Sequence, residues 1–405
     1  MTTASALSGD VVDYSGALDA VHAMQVNGDG TMRVALVDGR IASAPMGRTP
    51  FLASSAIASS TYFPALLRLW LETVHGNHIV LEVPAADDLA PRRGRPAIYL
   101  DQNHWSTLSK TIHSPERVPN QDERIAAERL IAMVLADELI LPLSAGHVSE
   151  TCKQVDPEER YQRALTMSQL SAGWQLRDPL ALRRLELRRV LTLRYQDVCL
   201  LQPPAVTLEP NAMHSARREA EFEPDPSLPA DARWVVTAIS AVGGMVDTLL
   251  DAESVPMPEA SGWAAELQRF ATFLKDNPTE REMRRRRTHA KFIVDLGTEI
   301  AEEAHAAGLR LEEMSDWTLH QSESDLRDMP ALGLFREVLH ERLCDPKLQW
   351  VSNDLVDMMY LTAGATYCDH IACERQHAAF IDNSFRRMDI ERVAHRSLHS
   401  LVNAL

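Results

Sequence analysis

The chain has 405 residues, more than one average domain, with 45% hydrophobic and 24% charged residues, the balance of an ordinary globular protein. Its formal net charge of −16 excludes a protein whose whole surface binds nucleic acid, though not one with a local basic groove. No apolar run reads as a membrane span, no signal peptide is evident at Met1-Thr2-Thr3, and the five scattered cysteines lack zinc spacing. Reduced thiols, a cytoplasmic location and no membrane partner are therefore expected.

Residues 1–95 read as a small α+β region of their own. Two apolar runs flank Asp38-Gly39 between Val34 and Ala42, which predicts a hairpin. Tyr62 to His75 reads as a helix with Leu66, Leu67, Trp70, Leu71 and Val74 on one side, and His78 to Val83 as a strand. No chemistry is visible here, so the expected role is structural or a contact surface for a second copy or a partner protein.

The next stretch organises the rest. Ala97-Ile98-Tyr99-Leu100 reads as a short buried strand that ends on Asp101, with Gln102-Asn103-His104 opening a helix behind it. Aspartate caps helices well, and taken alone Asp101 is read as a cap. However, ligands of open α/β sheets sit beyond the carboxyl ends of strands, where Asp101 stands. A helix follows over Gln121 to Asp137, then a second apolar strand, Leu139 to Leu143. Ser144 can cap a helix over Ala145 to Lys153, which carries His147 and Glu150 on one face. His-x-x-Glu is usually a solvated helix face, but this pair again lies just past a strand end.

From residue 158 to 327 the pattern is nearly all helical: Tyr161 to Ser171, Pro179 to Leu201, Arg233 to Leu250, Trp263 to Leu274 and Thr279 to Ala306. This reads as a large helical insertion within an α/β domain formed by residues 96–157 and 328–405. Inside it, Arg281 to Lys291 holds six basic residues against one acidic. Such runs are most often salt-bridged surface. In so acidic a chain, Arg284, Arg285, Arg286 and Arg287 are also candidates for phosphate contacts, which guanidinium groups make in bidentate fashion.

A helix from Met329-Pro330 to Leu343 is followed by Asn353-Asp354-Leu355-Val356-Asp357-Met358-Met359-Tyr360-Leu361. This is a nearly apolar helix whose first turn carries Asp354 and Asp357 on one face. Acids in a first turn are ordinary helix stabilisation, yet this helix must be buried against a sheet, which places its acidic end at a sheet edge. Tyr367 to Glu374 reads as a short strand with Asp369 near its start and Glu374 at its end. Helices over Gln376 to Arg387 and Ile390 to Leu405 complete the chain.

Four or more carboxylates delivered to one mouth repel one another unless a divalent cation neutralises them. All-oxygen ligation suits Mg²⁺ or Mn²⁺, either of which can activate water for attack on a phosphodiester. No Walker loop and no Gly-x-Gly-x-x-Gly follows a strand. Asn103 stands where an aspartyl phosphatase would carry its second aspartate.

The order strand–Asp, strand–helix–Glu, Asn-Asp-Leu-Val-Asp on an apolar helix, then strand–acid resembles the PIN-domain family, in a PIN-like variant with a large helical insertion. The matching stretches are Ile98 to Ser106, Leu141 to Cys152 and Pro330 to Arg375. The resemblance implies a Rossmann-like three-layer α/β fold with a parallel sheet and a metal-dependent endoribonuclease acting on RNA, with DNA as the other nucleic-acid candidate. It implies Asp101, Glu150, Asp354 and Asp357 as catalytic acids and Asp101, Glu150 and Asp357 as metal ligands. The last ligand is Glu374 or Asp369, because Cys373-Glu374 departs from the family's usual Thr-Asp. Asn103, His104, His147 and Arg375, beside these acids, and Arg284 to Arg287 are the candidate substrate contacts. The competing expectations are a catalytically silent PIN-like module that binds RNA or protein, and a metal-dependent phosphodiesterase for a small substrate.

Overall fold

In the computed structural model, the structure describes residues 18–45, 55–214, 226, 230–251 and 262–405; the N-terminal residues read for a signal peptide lie outside this set. The chain opens with six antiparallel strands, β1 (Val21–Asn27), β2 (Thr31–Leu36), β3 (Ile41–Pro45), β4 (Ile57–Phe63), β5 (Arg68–Thr73) and β6 (His78–Glu82), in the order β3-β2-β1-β4-β5-β6. The β2–β3 hairpin turns at Asp38-Gly39, where Gly39 takes a positive φ of 86°. The helix expected over Tyr62 to His75 is not formed. A single 3-10 turn at Pro64–Leu66 joins β4 to β5, and the remaining residues alternate as a strand does, with Leu69, Leu71 and Thr73 inward and Trp70 and Glu72 outward. The apolar spacing satisfies both periods over so short a run. Among its described residues the region is therefore all β with one 3-10 turn, rather than α+β.

Next come β7 (Ile98–Leu100), α1 (Gln102–His113), α2 (Gln121–Leu135), α3 (Ala145–Cys152), α4 (Pro157–Ser171) and β8 (Gln175–Leu176). They are followed by α5 (Pro179–Gln196), β9 (Val206–Thr207), α6 (Ala230–Leu250), α7 (Trp263–Asp276), α8 (Arg281–Asp295) and α9 (Gly297–Ala306). Two short helices, α10 (Leu311–Asp316) and α11 (Ser322–Asp325), lead to α12 (Pro330–Cys344), α13 (Asp354–Tyr367), β10 (His370–Ala372), α14 (Arg375–Met388), β11 (Ala394–His395) and α15 (Leu398–Val402). Two spans differ from the sequence reading. The helix expected over Thr279 to Ala306 breaks at Leu296, and α13 runs on to Tyr367, shortening the last expected strand to His370–Ala372. Helix α6 is long and apolar enough to cross a membrane, contrary to the expectation that no such run exists. It is nonetheless packed in the fold: it lies against α4, Trp234 donates to the Pro84 carbonyl, and Asp247 accepts from Ser55 and the Ala56 amide.

A second, parallel sheet is centred on β7. On one side β7 pairs with β10, and β10 with β11, both parallel. On the other side the Leu139–Leu143 segment runs parallel to β7 through Ile98 N–H to Ile140 O (2.8 Å), then to β8 through Leu143 N–H to Trp174 O (2.9 Å). The spatial order is β11-β10-β7-(139–143)-β8, with β9 antiparallel at the edge. The chain builds outward from β7 to one side, then returns to build β10 and β11 on the other. The order reverses between β7 and β10, and such reversals leave a crevice at the carboxyl ends of the strands. Because β8 and α4 belong to this sheet and its covering layer, the helical stretch does not detach from the α/β unit at residue 158.

Both faces of this sheet are covered, which is why its strands read as continuous apolar runs. Ile98 and Leu100 point into a core shared with α1, α2, α4 and the buried side of the antiparallel sheet. Tyr99 points the other way, into a core built with α5, α12, α13 and α14. A buried carboxylate ties the two sheets together. Glu82, at the end of β6, accepts from Arg95 (2.8 and 3.0 Å) and from Trp174 Nε1 (3.0 Å), and pairs with Arg68. Gly364 seats α13 against β7, and a Cβ there would lie 2.4 Å from Cγ of Tyr99. Gly364→Ala is thus expected to cost about 1–3 kcal/mol through overpacking. Urea denaturation reads this as a lower midpoint; an unchanged midpoint would mean that α13 is not held so closely.

Candidate active site

Asp101 is the cap of α1 and more than a cap. Its Oδ1 accepts from the Asn103 and His104 amides (3.1 and 3.2 Å), while Oδ2 accepts from the Glu374 amide across the β7–β10 crevice (2.7 Å). The parallel register places Leu100 beside Ala372, so the two strands end together and deliver Asp101 and Glu374 to the same edge. The Glu374 carboxylate is held by the side-chain amide of Asn103. Helix α13 starts at this edge and runs back toward the other end of β10, so its first turn brings Asp354 and Asp357 to the crevice. From the far side of β7, Ser144 caps α3, which carries the half-buried Glu150.

The electrostatics tie these residues together. Burial pushes Asp357 up to about 6, with the Asp354, Asp101 and Glu374 charges adding to the shift. Burial pushes Glu150 up to about 7, helped by the Asp357 and Asp101 charges and opposed by Lys153 and Arg163. Neither carboxylate has a hydrogen bond or ion pair among the described residues, whereas their neighbours are anchored. Asp354 is held by Arg342 (2.6 Å) and by the Val351 amide (2.8 Å). Arg342 is itself buried between the rings of Trp350 and Phe380. This countercharge was not visible in the sequence, where Arg342 is one basic residue in the last turn of an ordinary helix.

The other sequence candidates fall differently. Asp369 stands at the opposite end of β10, where it pairs with Arg92 and accepts from the Ala97 amide (2.7 Å). Strand direction separates it from the acids above, so of the two alternatives Glu374 is the one at the mouth. His147 is buried, with Nδ1 accepting from the Ser144 amide (3.2 Å), Nε2 donating to the Leu100 carbonyl (2.8 Å) and its ring stacked on Tyr99. Burial lowers its pKa to about 4, and both nitrogens are in use, so it braces α3 against β7 instead of meeting a substrate. His104 is also buried, while Asn103 and Arg375 are exposed beside Glu374.

The arginine run serves mainly structure. Arg285 forms ion pairs with Glu323 (3.0 Å) and the buried Glu337 (2.7 Å), which Arg336 and Arg387 also contact. Arg286 pairs with Glu282 one turn away. Arg287 donates to the Asn277 carbonyl and lies over Phe273, and Arg284 reaches Thr279 O and Cys344. Guanidinium groups at consecutive positions point around the helix, and the buried side of α8 absorbs Arg285.

These carboxylates form an all-oxygen donor set of the kind that Mg²⁺ and Mn²⁺ accept. Among the described residues, no group of three or more His, Cys, Asp or Glu side chains stands close enough together to hold a metal ion as placed. The chemistry of the set fits a divalent cation, because the two unpartnered acids, Glu150 and Asp357, bear the repulsion that a cation would relieve.

The repulsion has a pH signature. Asp357 ionises near its ordinary value of 3.8 when unfolded and near 6 when folded. Between these values the folded state holds the extra proton, so this group's contribution to stability falls as pH rises through the window and stays low above it. Histidines with lowered pKa, such as His147 and His340, act oppositely over an overlapping range, so the comparison is with Asp357→Asn. The metal-free variant is expected to match the wild type near pH 4 and to become more stable than it toward pH 7, by at most about 3 kcal/mol at about 1.4 kcal/mol per unit. Chemical denaturation across pH checks this; a constant difference would mean that Asp357 is not strained by its neighbours.

The chain matches no protein-family model, no curated protein and no solved structure.

Proposed function

We propose that the chain is a metal-dependent nuclease of PIN-like type, most simply an endoribonuclease that hydrolyses RNA phosphodiester bonds. The observation that carries this reading is the convergence of Asp101, Glu374, Glu150 and Asp357 at the point where the parallel sheet reverses its strand order. The order itself, two strands added on each side of β7, also supports a Rossmann-like arrangement.

In this reading Asp101, Glu150 and Asp357 hold Mg²⁺ or Mn²⁺, with Glu374 and Asp354 flanking them. The bound ion would neutralise the phosphodiester and activate water. The chain's own residues do the rest. Three amide N–H groups orient the Asp101 carboxylate, Asn103 fixes Glu374, and Arg342 takes up the charge of Asp354 so that Asp357 and Glu150 face the crevice unpaired. Incubation of the purified chain with single-stranded RNA in Mg²⁺, in Mn²⁺ and in chelator tests the reading. Cleavage that needs the cation supports it, whereas cleavage that persists in chelator, or none in either metal, contradicts it.

A further inference from the structure

An open, shallow cleft lies between α1 and α4, beside the acidic mouth. Its walls carry Ser106, Ser109 and Lys110 from α1, Arg163 and Glu159 from α4, and Arg117 from the turn after α1. In a chain of net charge −16, three cations with one acid make this a locally basic surface. Glu159 is engaged by Arg117 at 2.5 Å, which leaves Lys110 and Arg163 without an ion pair among the described residues. The serine side chains likewise have no hydrogen-bond partner there. Helix α4, which carries Arg163, packs against α3, which carries Glu150, so the cleft adjoins the mouth. Helix α1 links the two directly: Asp101 caps its start, and at 1.5 Å per residue Ser106 and Lys110 lie about 8 and 14 Å further along the axis.

We infer that this cleft is a phosphate subsite, in which Lys110, Arg163 and the hydroxyls of Ser106 and Ser109 hold the backbone of single-stranded RNA on one side of the cleaved bond. The inference rests on the nuclease reading for its choice of ligand and deepens it. The cleft takes over the role that the α8 arginines, turned into ion pairs and carbonyl contacts, do not fill. Cations hold a phosphate backbone by charge and displace its counterions, whereas hydroxyls supply directed hydrogen bonds to phosphate oxygens.

The test uses the full chain in chelator, so that binding is read without cleavage. The probes are a fluorescein-labelled oligouridylate and, as a competitor of a different class, polyglutamate. Lys110→Glu is the informative variant, because Lys110 has no ion pair to lose and is remote from the acids; Lys110→Arg is its control. Lys110→Glu is expected to weaken oligouridylate binding about tenfold and to reduce the salt slope by about 0.7, the value for one phosphate contact on a single strand. Lys110→Arg should restore both. Unchanged affinity and slope in Lys110→Glu would overturn the subsite, as would an oligouridylate that fails to bind while polyglutamate does. A small activated phosphodiester separates this from the nuclease reading. With metal, Lys110→Glu should hydrolyse it like the wild type, because it does not reach the cleft. A chain that binds oligouridylate through Lys110 but hydrolyses neither substrate would keep the subsite and remove the nuclease.

Discussion

Asp101→Asn is expected to reduce RNA cleavage by 10²–10³-fold or more, the order lost when one preorganised electrostatic group is removed from an active site. Asparagine keeps the cap, because its oxygen still accepts from the Asn103 and His104 amides. It places an NH₂ opposite the Glu374 amide, so one hydrogen bond becomes a donor–donor contact at a cost of about 1–2 kcal/mol, which outweighs the relief of Asp357 and Glu150, whose shifts owe more to burial than to the Asp101 charge. Asp357→Asn should abolish cleavage as well, but with the opposite effect on the metal-free fold, since it relieves repulsion and breaks no hydrogen bond. The pair separates chemistry from folding. If both variants lose activity while one is destabilised and the other stabilised, the loss cannot come from stability. Full activity in either would place the reaction elsewhere on the molecule.

Arg342→Met carries the largest expected stability effect. It leaves the buried Asp354 carboxylate without its cation and empties the space between Trp350 and Phe380. Breaking a buried pair from one side typically costs about 3–5 kcal/mol, most of it the penalty of the charge left behind. Adding Asp354→Asn to Arg342→Met should therefore recover a large part of the loss. Urea denaturation of the two single variants and the double variant measures the coupling as a cycle. Additive losses would show that the two residues do not act as a pair. The same variant should raise metal affinity, because an unneutralised Asp354 adds to the repulsion on Asp357 that a bound cation would relieve.

What the sequence made legible followed from local rules. Asp38-Gly39 admits few turns other than a hairpin, and the apolar strand before Asp101 could be buried only in a sheet covered on both faces. The first turn of α13 was placed at a sheet edge by its apolar remainder alone. Other features depended on tertiary facts. Leu66 to Val74 fit a helical face as well as the alternation of β5, and the β-sheet neighbours β4 and β6 decided between them. Asp369 and Glu374 flank the same strand, so only the parallel register with β7 shows which one shares an edge with Asp101. His147 and Glu150 share a helix, yet the His147 ring is consumed by Ser144 and Leu100 while Glu150 faces the crevice. Arg285 reads as free basic charge until Glu337 and Glu323, remote in sequence, are folded against it. Lys110, Arg117 and Arg163 gave no signal because they are scattered over two helices and a turn.

Cation binding at the acidic mouth is measured by titrating the metal-free chain with Mn²⁺, followed by electron paramagnetic resonance of the free ion, in the wild type and in Asp357→Asn. The wild type should bind one or two ions with an accompanying rise in melting temperature through binding to the native state, and the variant should lose most of both. Equal Mn²⁺ binding by wild type and variant, or none by the wild type, would contradict a cation site at the mouth.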